Sequence, residues 1–204
     1  KKNPNVKIIA KSLTKTDQQR KLSNYNKILE KNLNNQINIS KSKSSYILIN
    51  DEKSLLSLIN EIYDAGEFVY DVETDSLNII KANLVGVSLC FNQKNAYYIP
   101  LQHVGQKEKI VESQISLKNF LSIISPLMKD ESIIKIGHNI KYDNSILNKY
   151  GVDVRGFHDT MLMSYVLDAG VHRHGMDELA SIHLNRETIK FKDVVGSGKS
   201  QITF

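Results

Sequence analysis

The chain has 204 residues, 41% hydrophobic and 24% charged, which suits one domain of ordinary size plus a tail. No apolar run approaches the ~18 residues that span a bilayer, and no apolar block follows the basic N-terminus as a secretory signal requires. The single cysteine, Cys90, excludes an internal disulfide and a multi-cysteine zinc site, and the whole fits a reducing cytoplasm.

The formal charge of +5 is unevenly divided. Residues 1–45 hold 11 Lys and Arg against 2 Asp and Glu, whereas residues 46–204 hold 16 against 20. The first segment is rich in Lys, Asn, Ser and Gln, with Tyr25 its only aromatic residue, and reads as a basic polar linker with one marginal helix around residues 17–33. The body at 46–204 is mildly acidic. It cannot hold nucleic acid by bulk charge and would need metal ions and a few placed side chains.

Order is expected from Tyr46. YILI is a short strand, and Asp51 is a suitable N-cap for a helix carrying Leu55, Leu56, Ile59 and Ile62 at helical spacing. Phe68, Val69 and Tyr70 then lead as a strand into Asp71, Glu73 and Asp75. ANLVGVSLCF and NAYYIP are the next two strands, a hairpin turning near residues 92–95, with Cys90 expected as a buried thiol. A polar loop, a helix around residues 117–128, the strand IIKIG and a helix around residues 142–150 come next. VRGFHDT leads into a helix around residues 160–167, with Asp159 as its N-cap, and MDELASIHL is a further helix. Strands 68–99 pair antiparallel, and the strand at 133–136 arrives after a crossover helix and pairs in parallel. The expected fold class is α/β, a ribonuclease-H-like mixed β-sheet flanked by α-helices.

Two acidic clusters carry the chemistry. Residues two apart on a strand share a face, so Asp71 and Glu73 present paired carboxylates, costly unless a cation neutralises them. Mg²⁺ and Mn²⁺ are hard ions that prefer such oxygen donors. The second cluster, IGHNIKYDNSIL, places Asp143 in the first turn of a helix at the end of a neighbouring strand. Each cluster alone also reads blandly, as an acidic turn or a helix-dipole acid.

Together, FVYDVETDSL and GHNIKYD resemble the first two motifs of the 3′→5′ proofreading exonuclease domain of bacterial DNA polymerase I. DTMLMSYVLDAG, RHGMDELA, ETIKF and GSGKSQITF occur in the family's order, so the resemblance covers about residues 46–204. It implies that Asp71, Glu73 and Asp143 are three of four carboxylates holding two divalent metal ions, Mg²⁺ or Mn²⁺. It implies that Thr74 and Leu77 contact the 3′-terminal nucleotide, with Leu77 wedging at the base. It implies that Asn139 and Tyr142 line a single-strand cleft, that Arg173 meets a phosphate and that Phe191 packs on a base. The substrate implied is the single-stranded 3′ end of DNA, hydrolysed to nucleoside 5′-monophosphates. Linked polymerase and 5′-nuclease domains are implied as partners. His138 stands where relatives often carry Gln.

The family's third motif, Tyr-x-x-x-Asp, does not occur before Phe204. The expectation is therefore a C-terminally incomplete domain with weak or absent activity by itself. A stand-alone RNA-trimming exonuclease and a non-catalytic DNA-holding scaffold are the alternatives. VVGSGKS fails as a phosphate loop because Asp193 occupies its first glycine position. His172 and His174 alternate like metal ligands, but without a third ligand in the sequence they read as loop residues. Tyr97 and Tyr98 read as strand packing.

Overall fold

The structure, a computed structural model, describes residues 45–104 and 113–196. The expected linker, and the segment 197–204 with its GKS sequence, lie outside the described residues. The chain divides into units 1–43 and 44–204, and the described residues all belong to the second.

Six strands form one sheet: β1 (Ser45–Leu48), β2 (Glu67–Thr74), β3 (Leu84–Cys90), β4 (Asn95–Pro100), β5 (Ile134–Gly137) and β6 (Phe157–Asp159). Their order is β1-β4-β3-β2-β5-β6. β2 pairs antiparallel with β3, β3 antiparallel with β4, and β5 parallel with β2. This is the mixed sheet expected from the strand order. β1 and β6 extend it as parallel edges against β4 and β5. β6 is not legible as a strand in the sequence: FHD is too short for an alternating pattern, and only its pairing with β5 makes it one.

The helices are α1 (Glu52–Ala65), α2 (Leu117–Lys129), α3 (Ile140–Lys149), α4 (Thr160–Asp168), α5 (Met176–Leu184) and α6 (Phe191–Val195). Asp51 caps α1 by accepting from Ser54 N at 2.9 Å, and Gly66 ends it in the left-handed region at φ 76°. The buried face of α1 is Leu55, Leu58, Ile59 and Ile62, and Leu56 points outward instead of joining it. Phe120, Ile124, Leu127 and Met128 of α2, Phe68, Tyr70 and Val72 of β2, and Ile146 and Leu147 of α3 belong to the same core. Tyr97 is buried and stacks on Phe91 at 5.5 Å between ring centres, as strand packing requires. Cys90 is only half-buried, because its position closes β3 beside the turn, and its thiol donates to Asn92 O.

β2 is thus a central strand with β3 on one side and β5 on the other. It ends in acidic residues where β5 also ends, at Gly137, and α3 begins three residues later. Two neighbouring strand ends and one helix start converge there, a common place for a site in such sheets.

Candidate active site

Burial alternates along β2. Phe68, Tyr70 and Val72 are buried, so Asp71 and Glu73 fall together on the other face. Asp143, in the first turn of α3, is 3% exposed. Its Oδ1 accepts from Val72 N at 3.0 Å, which fixes it beside the strand, and its carboxyl neighbours that of Asp71. Asp71, Glu73 and Asp143 line one cleft of about 570 Å³ with Thr74, Leu77, His138, Asn139 and Tyr142.

Burial, joined by the neighbouring Asp71 charge, pushes the Asp143 carboxyl up to about 7. Burial also raises Asp71, against the lowering effect of its hydrogen bond with Asp143 and of His138. Glu73 is raised by burial and then by the Asp71 charge. Burial thus holds both aspartates above the ordinary carboxylate range. Such a pair is what a divalent cation relieves, and an all-carboxylate donor set fits a hard ion such as Mg²⁺ or Mn²⁺. Glu73 stands further off. Among the described residues the three carboxylates do not close to within 4.8 Å of one another, whereas Asp168, His172 and His183 do.

The cleft wall is tied across its elements. Thr74 Oγ1 and Tyr142 Oη share a hydrogen bond of 2.7 Å, and Tyr142 Oη donates to Ser76 O at 2.8 Å. Tyr142 therefore holds the loop after β2 against α3. Leu77 on that loop is 93% exposed at the cleft, an uncovered apolar side chain beside polar walls. Asp75 is turned to the loop: its carboxylate accepts from Asn83 N at 2.7 Å and Nδ2 at 2.8 Å. Burial raises its pKa, but the Asn83 hydrogen bonds outweigh this and lower it.

Asn139 has φ 59°, a left-handed conformation that Asn tolerates better than most residues, and its side chain makes no capping bond. The cap comes from Asp159, whose Oδ1 and Oδ2 accept from Asn139 N and Ile140 N, each at 3.1 Å. Asp159 Oδ1 also caps its own helix α4 through Met161 N at 2.9 Å. Only its role at α4 is legible in sequence. Tyr70 Oη donates to Asn144 Oδ1, a link from β2 to α3 that no local pattern signals.

His138 lines the same cleft. Thr160 Oγ1 donates to Gly137 O at 3.1 Å and so accepts from His138 Nδ1–H at 3.0 Å. That assigns the tautomer. Nε2 is buried and has no hydrogen-bond partner among the described residues. The structure does not bring Arg173 into this set: it is exposed on the loop before α5 and does not line the cleft. Phe191 opens α6, and its side chain lies outside the described residues.

The sequence pattern of the family described as 3′-5′ exonuclease matches residues 46–204. DNA polymerase I of Rhizobium leguminosarum is 39% identical over 175 residues, covering 79% of this chain and 17% of that protein. DNA polymerase I of Pseudomonas aeruginosa is 35% identical over 162 residues, covering 78% and 17%. The chain thus spans about a sixth of the length of these relatives. Among solved structures, Escherichia coli RNase D superposes with TM-score 0.56 at 16% identity, over 72% of this chain and 36% of that one. Pol1 from M. smegmatis, in complex with DNA primer-template and dNTP, superposes with TM-score 0.56 at 19% identity, over 70% and 23%. Brucella melitensis NrnC bound to pGG gives 0.55 at 23% identity, over 79% and 72%. At these identities the structures speak for the fold, a ribonuclease-H-like α/β sheet.

Proposed function

The chain belongs to the 3′-5′ exonuclease family, and on that premise we propose that residues 46–204 trim the 3′ end of single-stranded DNA as the proofreading domain of a DNA polymerase I. Residues 1–45 are then the linker from a 5′-nuclease domain, a polymerase domain is covalently linked, and the setting is the bacterial cytoplasm. What supports the polymerase form over a stand-alone RNA-trimming enzyme is 39% identity to a DNA polymerase I, against 16% to RNase D.

Asp71, Glu73 and Asp143 would hold two divalent ions, Mg²⁺ or Mn²⁺. Such ions, when bound, supply a water of lowered pKa and neutralise charge on the phosphate. The chain's own residues do the rest. Val72 N–H and Asp71 fix the Asp143 carboxylate at the cleft wall. The Thr74–Tyr142 pair keeps the cleft open beside the terminal nucleotide. Leu77, exposed, offers an apolar edge to the last base, and Asn139 a side-chain amide to the strand. His138 Nε2, a lone pair in this tautomer, has no partner among the described residues and is available to accept from a water on the phosphate. Arg173 and Phe191 would contact the strand beyond the cleft.

The observation that carries this reading is Asp143, buried beside β2 by its bond to Val72 N–H, in one cleft with Asp71 and Glu73. The test is release of mononucleotides from a 3′-labelled single strand with Mg²⁺ or Mn²⁺ by a longer polypeptide that includes the family's third motif. Asp143→Ala is expected to reduce it by at least about 10²-fold while the circular dichroism spectrum is kept. Equal rates for variant and parent would refute the site.

A further inference from the structure

A second donor cluster lies outside the carboxylate cleft. The sequence offers His172 and His174 as alternating histidines with no third ligand. The fold keeps their rings 5.0 Å apart but gives each its own hydrogen-bonding and charged partners. His174 is buried, hydrogen-bonds Ser164 Oγ through Nδ1 at 2.7 Å, and packs on Tyr165 at 3.9 Å between ring centres. His172 instead faces Asp168, the last residue of α4, and His183 in the last turn of α5. One ligand atom from each of Asp168, His172 and His183 lies within 4.8 Å of the others.

We propose that Asp168, His172 and His183 form a binding site for Zn²⁺ or a similar borderline divalent metal, separate from the carboxylate cleft. Two independent details of His172 support it. First, its Nδ1 lies 2.7 Å from Arg173 O, a group that only accepts, so Nδ1 carries the proton. In the neutral ring Nε2 is then a bare lone pair. A ring N–H spent on a backbone carbonyl is the usual outer support of a metal-bound histidine. Second, Nε2 stands 3.8 Å from Asp168 Oδ2. That is too long for a hydrogen bond. Two donors each about 2.1 Å from a tetrahedral metal stand about 3.4 Å apart, close to this gap. His183, exposed in the last turn of α5, brings the third ligand atom to the set.

Donor chemistry separates the two sites. Two imidazoles and one carboxylate suit Zn²⁺ with water in the fourth position, whereas the cleft's carboxylates suit Mg²⁺ or Mn²⁺. A metal here would tie the end of α4 to the end of α5. It would also fix the intervening loop, which carries Arg173.

The experiment is Zn²⁺ titration of the full chain, stripped with chelator and held in excess Mg²⁺ to occupy the carboxylates. It is read by competition with a chromophoric chelator, by Co²⁺ absorption and by thermal unfolding. One equivalent is expected to bind and to raise the unfolding midpoint by about 5 °C at saturation. Asp143→Asn is expected to retain that equivalent. His172→Ala and His183→Ala, which remove partly or fully exposed side chains, are expected to weaken it about 100-fold and to abolish the tetrahedral Co²⁺ bands. No saturable binding, or binding that survives both histidine substitutions, overturns the site. Loss in Asp143→Asn alone would assign the ion to the carboxylate cleft and overturn it equally.

Discussion

Asp143 accepts from Val72 N–H while lying against Asp71, so its position is fixed by a hydrogen bond that either charge state can keep. Its charge is what the fold makes costly. The folded carboxyl, raised to about 7, binds a proton that the unfolded chain releases nearer 3.8. The group's contribution to stability is therefore fully present below its unfolded pKa and is lost as pH rises through about 7. Thermal unfolding of the metal-free protein is expected to shift to lower temperature between acidic and mildly alkaline buffer. Mg²⁺ or Mn²⁺ is expected to restore more on the alkaline side. Asp143→Asn keeps an acceptor for Val72 N–H and removes the charge. Its metal-free midpoint is expected above the parent's in alkaline buffer and level with it in acid, with nuclease activity lost. A midpoint below the parent's at alkaline pH would show that the charge is not the destabilising feature.

At the level of elements, Asp159 joins two helix starts. It closes β6, accepts from the first residues of α4, and reaches back to Asn139 N and Ile140 N at the start of α3. Because α3 carries Asp143, this one carboxylate positions the cleft without lining it. Asp159→Ala leaves orphan N–H groups on both helices, and a loss of about 2–3 kcal/mol is expected from urea unfolding. A loss under about 0.5 kcal/mol would mean water replaces the caps. β3 and β4 meet with a different constraint. A Cβ placed on Gly86 would stand 2.1 Å from Tyr98 Oη, which is hydrogen-bonded to His103. Gly86→Ala must displace that ring, and about 2 kcal/mol of destabilisation is expected by chemical denaturation. Pairing it with Tyr98→Phe removes the clashing oxygen and should recover part of the loss.

For the whole molecule, the uneven charge distribution makes any DNA contact by the body separable from any contact by the tail. The body at 46–204 is mildly acidic and the tail at 1–45 strongly basic. Single-strand binding by the body should need a divalent ion and depend weakly on salt. Binding by the tail should be independent of metal and fall steeply with salt, since each neutralised phosphate releases counterions. Replacing the tail lysines by Gln is expected to flatten the salt dependence and spare the metal-dependent component. An unchanged slope would remove the tail from DNA contact. Among the described residues no helix is long and apolar enough to cross a membrane.

The sequence by itself determined the order of the main strands and helices, the N-caps at Asp51 and Asp159, and the shared face of Asp71 and Glu73. Each of these comes from short-range geometry: a period of two on a strand, a period near 3.6 on a helix, and a side chain that reaches its own next turn. The motif resemblance added Asp143 as their companion. Only the tertiary structure brought Asp143 against Asp71, and only it spent Asp75 on Asn83. The same holds for β6, the second cap of Asp159, and the meeting of Asp168, His172 and His183. These depend on which elements become neighbours, and that is decided by burying one shared core, whose contacts lie too far apart along the chain for any local pattern to record.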